Sequence, residues 1–332
     1  MVDLEPAQQP IVRPWCLSTH LEEYALFAAA VGYEARANYI AAAHKPRARE
    51  RVALGFVDNQ VLHYSENAAW FKDNGFQVLH LHDSEFCDFW EATLSRLAAE
   101  RDMGESRSLC VDISSMTRSR IAIVIDAVRR YVASPGRTVD FVYSLAAYVE
   151  PPVGHPPNTH VGPILPSFAG WWTKPDRAMS AVVGLGYEQD KALGAVEHLQ
   201  PGEVWTFSPH SAVEEYSAAL KKANQVLLDT VPSSHRLAYE VGQPFDCFVA
   251  FESLVDRLAR ESNVILLPFG PKLFALCSLL VAWLHSDVAV WRVSAGKGEL
   301  PQDRRASGYV YGLRVKFGAP GAQVAVPTGV SS

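Results

Sequence analysis

Two short turns carry the residue types best suited to chemistry. Asp112-Ile113-Ser114-Ser115-Met116-Thr117-Arg118 packs two serine hydroxyls, a threonine and a guanidinium into one stretch, and Leu267-Pro268-Phe269-Gly270-Pro271-Lys272 sets a lysine where the first stretch has Arg118. Each follows an apolar run and precedes a long apolar segment, so each reads as the junction between a buried strand and a helix. A cation at a helix start opposes the helix dipole, which is poor chemistry unless an anion comes to meet it. Arg118 and Lys272 are therefore candidate phosphate ligands. Ser114, Ser115 and Thr117 would add hydrogen bonds, with Gly270 and Pro271 shaping the second turn.

A second pair of turns has the same character. Gly32-Tyr33-Glu34-Ala35-Arg36 and Gly186-Tyr187-Glu188-Gln189-Asp190 both follow short apolar runs. Glycine permits a sharp turn, and the free N–H groups of a following helix suit an anion. Tyr33 and Tyr187 could stack on bases, while Glu34 and Glu188 could accept from ribose hydroxyls; a helix dipole alone would also favour both glutamates. Were the protein an enzyme, Glu34 or Glu188 would serve as acid or base, or Ser115 would align a ribose hydroxyl. Arg36, in the first of these turns, and Ser294, at the end of a late strand, join the candidate ligand residues. So does Arg304, which lies between Gly298 and Gly308 and could fold over a ligand mouth as a lid.

The two pairs are related by one spacing. Tyr33 and Tyr187 lie 154 positions apart, and so do Arg118 and Lys272. Strands and helices alternate around them in both halves: Ala25 to Val31, Arg51 to Val57, Gln77 to Leu81, Ser108 to Ile113 and Val139 to Leu145 read as strands of the first copy. Met179 to Leu185, Glu203 to Phe207, His235 to Val241, Asn263 to Leu267 and Val288 to Val293 match them in order. Alternation of this kind means parallel strands with right-handed crossovers. The fold class is α/β: two tandem Rossmann-like, doubly wound parallel sheets that arose by internal duplication. Residues 1–149 form the first domain and 177–317 the second, with its C-terminal loop and strand. The proline-rich stretch 150–176, with Phe168, Trp171 and Trp172, reads as an ordered crossover packing on both halves. Residues 318–332 read as a disordered tail.

Composition narrows the function classes. The 332 residues suffice for two cores, and the formal net charge of −6 argues against general duplex-DNA or anionic-membrane binding. Cys16, Cys87, Cys110, Cys247 and Cys277 lack paired spacing and read as buried free thiols in a reducing cytoplasm. The N-terminus has no signal-peptide pattern, and the longest apolar run, Leu273 to Leu284, reads as a buried helix rather than a membrane span. The phosphate-binding-loop, GxGxxG, GxSxG and HExxH patterns are all missing. His80, His82, His155 and His160 show no zinc-like spacing, so no metal and no cofactor is expected. Lys45, Arg47, Arg49 and Arg51 read as a solvated loop.

The layout resembles the CARF and SAVED group of nucleotide-sensing domains from prokaryotic antiviral defence. In CARF proteins the turn after the fourth strand carries a Gly-Thr-Lys-like motif beside bound cyclic oligonucleotide phosphates. Gly270-Pro271-Lys272 looks like a variant of it, and Ser115-Met116-Thr117-Arg118 occupies its place in the first copy. SAVED domains hold two CARF-like units in one chain, which is the arrangement inferred here over residues 25 to 295. The resemblance implies a nucleotide sensor that clamps a phosphorylated, cyclic-oligonucleotide type of ligand between its halves and signals through a separate effector or complex protein. It also admits a ring-nuclease-like enzyme that cleaves such a ligand, or a non-catalytic subunit of a defence complex.

Overall fold

The computed structural model describes residues 9–16, 23–99, 108–131, 136–150, 158–170, 176–294 and 301–317. Its first strand is β1 (Pro10–Pro14). The first half then runs β2 (Tyr24–Ala30), α1 (Tyr39–His44), β3 (Ala48–Phe56), α2 (Tyr64–Asp73), β4 (Gln77–Leu81), α3 (Asp83–Ala99), β5 (Ser108–Asp112), α4 (Arg118–Tyr131) and β6 (Thr138–Ala146). The short strand β7 (His160–Pro163) leads to the second half: β8 (Met179–Gly184), α5 (Lys191–Leu199), β9 (Glu203–His210), α6 (Glu215–Thr230), β10 (Arg236–Glu240), α7 (Pro244–Ala259), β11 (Asn263–Pro268), α8 (Lys272–Leu284) and β12 (Ala289–Ser294). The last strand is β13 (Ala306–Phe317).

Both halves carry the doubly wound order. The first sheet reads β6-β5-β2-β3-β4 and the second β12-β11-β8-β9-β10, with all of these pairings parallel. The central strand β2, Tyr-Ala-Leu-Phe-Ala-Ala-Ala, is buried at every position. An unbroken apolar run of this kind belongs to a parallel strand covered on both faces. In each sheet the strand order reverses between the first and fourth strands, β2 and β5 or β8 and β11. A crevice opens at such a point beyond the carboxyl ends of the strands.

The outer strands depart from the sequence-based domain boundaries. Strand β13, assigned by position to the second half, pairs antiparallel with β6 of the first sheet, and β1 pairs antiparallel with β13. Strand β7, within the predicted crossover, pairs antiparallel with β12 of the second sheet. Each half thus lends a strand to the other. The physical reason is that β6 and β12 would otherwise leave open rows of N–H and C=O groups. The chain leaving each half crosses over to cover the other's edge. Within the crossover Phe168 is buried; Trp171, Trp172 and the 318–332 tail lie outside the described residues.

One apolar core spans the halves. Helices α3 and α4 of the first half and α7 and α8 of the second contribute to a single cluster, in which α4 packs against α8. Helix α8 is buried from Leu273 through Trp283 and α4 from Ser119 through Val128. Helix α8 is apolar around its whole circumference, as an interior helix has to be, whereas α4 buries Ser119, Arg120 and Asp126 among its apolar residues. Helices α1 and α2, and α5 and α6, cover the opposite sheet faces with their own smaller cores. No helix is long and apolar enough to cross a membrane among the described residues. Cys110, Cys247 and Cys277 are buried, Cys87 is half-buried, and Cys16 is exposed, against expectation, where it precedes β2.

Candidate functional site: a cleft between the halves

Arg118 and Lys272 are the first residues of α4 and α8. Because those helices pack together at the centre, both fourth-strand turns face one cavity of about 930 Å³ lined by the two halves. The turns grip one another across it. Arg118 Nη2 donates to the Gly270 carbonyl at 2.5 Å, and Lys272 Nζ donates to the Ser114 carbonyl. Each predicted cation thus reaches the opposite half's turn, as a pseudo-two-fold axis requires.

The turns after β2 and β8 lie alongside. A Cβ on Gly32 would sit 2.5 Å from Ser115 Cβ, so glycine is what lets the two turns of the first half touch. Gly270 plays the matching part in the second half: its φ is +67°, and an added Cβ would lie 2.3 Å from the Leu185 carbonyl oxygen. Asn67 on α2 donates to the carbonyls of Gly32 and Glu34, both at 2.9 Å. Asn224 on α6 donates to the Gly186 carbonyl at 2.7 Å. These two asparagines, absent from the sequence-based candidates, hold equivalent turns. Their signal was present as a polar residue in the middle of each half's second helix.

The predicted site residues divide into those that reach the cavity and those that support it. Tyr33, Glu34, Arg36, Ser115, Thr117, Arg118, Tyr187, Glu188, Gly270, Pro271, Lys272, Ser294 and Arg304 all line it. Ser114 does not: it is fully buried beneath the floor, where its hydroxyl accepts from Ser144 N–H and its own N–H donates to Asp112. Arg36, only 1% exposed, is spent on protein partners. It forms a 2.7 Å ion pair with Glu34 and donates to the Ser144 and Ser114 carbonyls. Thr117 accepts from Arg120 N–H at 3.1 Å and so caps α4.

The loop before β13 closes one side. Asp303 Oδ1 accepts from Ala35 N–H at 2.8 Å, and the Arg304 carbonyl accepts from Arg36 N–H at 3.1 Å. His63 Nε2 lies 3.3 Å from Asp303 Oδ2. These contacts dock the segment on the first half and set the Arg304 guanidinium over the Tyr187 ring, 5.7 Å from its centroid. Tyr216 packs against the same tyrosine at 5.2 Å. Tyr216, Tyr143 and Arg292 also line the cavity and escaped the sequence reading, because their strands and helices give no local hint of a shared wall.

The chain matches no protein-family model and no curated protein. Function has therefore to be read from the cleft itself.

Its electrostatics favour an anion. Six cationic side chains line the cavity, Arg36, Arg118, Lys191, Lys272, Arg292 and Arg304, against the carboxylates Glu34, Asp58 and Glu188. This local excess stands out in a chain of formal net charge −6. Burial works against ionisation of Glu34, yet Lys272, Arg36 and Arg304 together hold its carboxyl below the usual value. Glu188 is likewise held low against its burial by Lys191, Arg118 and Arg304. Burial pushes the Lys272 amine down to about 7, with the neighbouring arginines adding to the effect and Glu34 opposing it.

Proposed function

We propose that the protein is a nucleotide sensor that binds a phosphorylated nucleotide, of the cyclic-oligonucleotide class suggested by its resemblance to CARF and SAVED domains, in the cleft between its halves. The observation that carries this reading is the cation-rich cavity formed jointly by the two fourth-strand turns, at the N-termini of α4 and α8. Helix N-termini and unshared guanidinium donors are general phosphate binders. The cavity volume suits a ligand of nucleotide size or larger. Tyr187 and Tyr216 supply an aromatic wall for a base. A separate effector protein would turn binding into a response.

Binding without cleavage is the better reading of the two. Glu34 is pinned by Arg36 and, like Glu188, has its pKa lowered by neighbouring cations, which makes both poor proton donors and weak bases. Ser115 Oγ has no hydrogen-bond partner, so no base is in place to activate it. A thermal-shift panel of linear and cyclic nucleotides tests the proposal, followed by chromatography of the recovered ligand. At a hundred times the dissociation constant a true ligand stabilises by about 2.7 kcal/mol. A panel with no shift refutes the sensor reading, and a cleaved product replaces it with the enzyme.

A further inference from the structure

One member of the cleft's cationic cluster differs in kind from the rest. Lys272 lines the cavity with Arg36, Arg118 and Arg304, which act on its amine from the turn after β2, the start of α4 and the loop before β13. Guanidinium groups keep their protons, whereas a buried amine gives its proton up readily. Like charges gathered in a buried space favour the neutral form of whichever member can be neutralised. In this cluster that member is Lys272.

The surroundings leave the amine without a counter-charge of its own. Among the described residues Lys272 forms no ion pair. Glu34 is the carboxylate that acts on it most, and Glu34 is already paired with Arg36 at 2.7 Å. Asp112, beneath the floor, loses its own proton only near pH 6, where burial has pushed it. Glu188, on the turn after β8, answers to Lys191, Arg118 and Arg304. The hydrogen bond from Lys272 Nζ goes to the Ser114 carbonyl, and a neutral amine donates there as a charged one does. Burial, with Glu34 opposing and the three arginines adding, brings the amine down to about 7.

We propose that Lys272 is the proton-uptake group of the cleft: neutral in the ligand-free chain at mildly alkaline pH, it takes a proton from solvent when an anion enters, so that binding and protonation are one coupled event. This rests on the nucleotide reading and adds its regulation. The coupling is reciprocal. The anion strengthens the amine's hold on a proton, and a falling pH strengthens the cleft's hold on the anion by the same factor. The amine becomes a cation only when a phosphate is there to meet it, so the chain is spared a further uncompensated charge beside three guanidiniums.

Two measurements on the full chain test this. The first needs no ligand. Unfolded, Lys272 keeps its proton up to its ordinary 10.5, and folded it releases it near 7, so stability rises with pH between those values. Relative to Lys272→Met, the wild type's unfolding constant in urea should fall by up to about tenfold per pH unit from about pH 7.5 to about pH 9.5. Any fixed cost of the lost Ser114 hydrogen bond drops out of that slope. The second is calorimetric titration with cyclic diadenylate and with inorganic pyrophosphate near pH 8.5, each in two buffers of different ionisation enthalpy. The wild type should take up about half to one proton per anion more than Lys272→Met, and relative to that variant its affinity should fall by up to about tenfold per pH unit above about pH 7.5. Lys272→Arg carries a charge it cannot shed and keeps a donor for Ser114. It should show neither effect, and it replaces the methionine variant should that one fail to fold. A flat stability difference, or anion binding with equal proton counts in wild type and variants, would overturn the inference and leave the nucleotide reading standing. Failure of both probes to bind also overturns it, and the nucleotide panel then decides the sensor reading on its own.

Discussion

Arg314→Met tests whether the lent strand β13 is essential to the first half. Arg314 sits opposite Asp140 in the β13–β6 register, and the two form a bidentate pair at 2.6 and 2.7 Å. Asp140 is fully buried, and among the described residues it also accepts from the Tyr24 hydroxyl at 2.8 Å. Methionine keeps the apolar stem and removes the fork, leaving a carboxylate in the core with one donor. Breaking one side of a buried pair costs about 3–5 kcal/mol, because the remaining charge is uncompensated. Asp140→Asn in the same chain removes that charge, so the double variant should lose about 2 kcal/mol less than the sum of the single losses. Urea denaturation of the four proteins in the cycle measures both quantities. A loss below about 1 kcal/mol in Arg314→Met, or strict additivity in the double variant, would refute the argument that this pair fastens the strand.

Three further outcomes follow from the cleft. Burial pushes the Asp112 carboxyl up to about 6 from its ordinary 3.8. The folded chain therefore keeps a proton that the unfolded chain releases between those values, and stability falls as pH rises through that window. Asp112→Asn retains an acceptor for Ser114 N–H and should be more stable than wild type above pH 6 by about 1–3 kcal/mol, with the difference fading toward pH 4 in denaturation curves. Gly270→Ala should cost about 2–4 kcal/mol through its positive φ and the Leu185 carbonyl, whereas Gly75→Ala, with φ +78° and open space around it, should cost about 1 kcal/mol. Asn67→Ala and Asn224→Ala should each lose about 1–3 kcal/mol, from carbonyls left unpaired in matching turns, and the losses should add in the double variant.

The duplicated architecture was readable because parallel strands and their turns are local features. The run from Tyr24 to Ala30, the glycines at 32 and 186 and the cations at 118 and 272 each announce a strand end within a few residues. The convergence of both fourth-strand turns on one cavity followed from the repeat, because α8 is apolar on every side and packs against α4, whose apolar run is Ile121 to Ile125. The lent strands were not readable. Nothing in Tyr309-Val310-Tyr311 says which sheet edge it will cover, because pairing is decided by the edge left open elsewhere. The commitments of Arg36 and Ser114 were equally hidden. Composition marks a polar residue in a turn, but only the packing of β6 beneath it decides whether ligand or protein takes its hydrogen bonds.

The reciprocal loan of β7 and β13 limits how the molecule can respond. Two lobes that each hold a strand lent by the other cannot come fully apart without tearing rows of backbone hydrogen bonds. On the sensor reading proposed above, a message from the cleft has to leave by a smaller movement. The segment bearing Asp303 and Arg304 is continuous with β13, so a pull on Arg304 by a bound anion is felt at once by the seam that sews one lobe to the other.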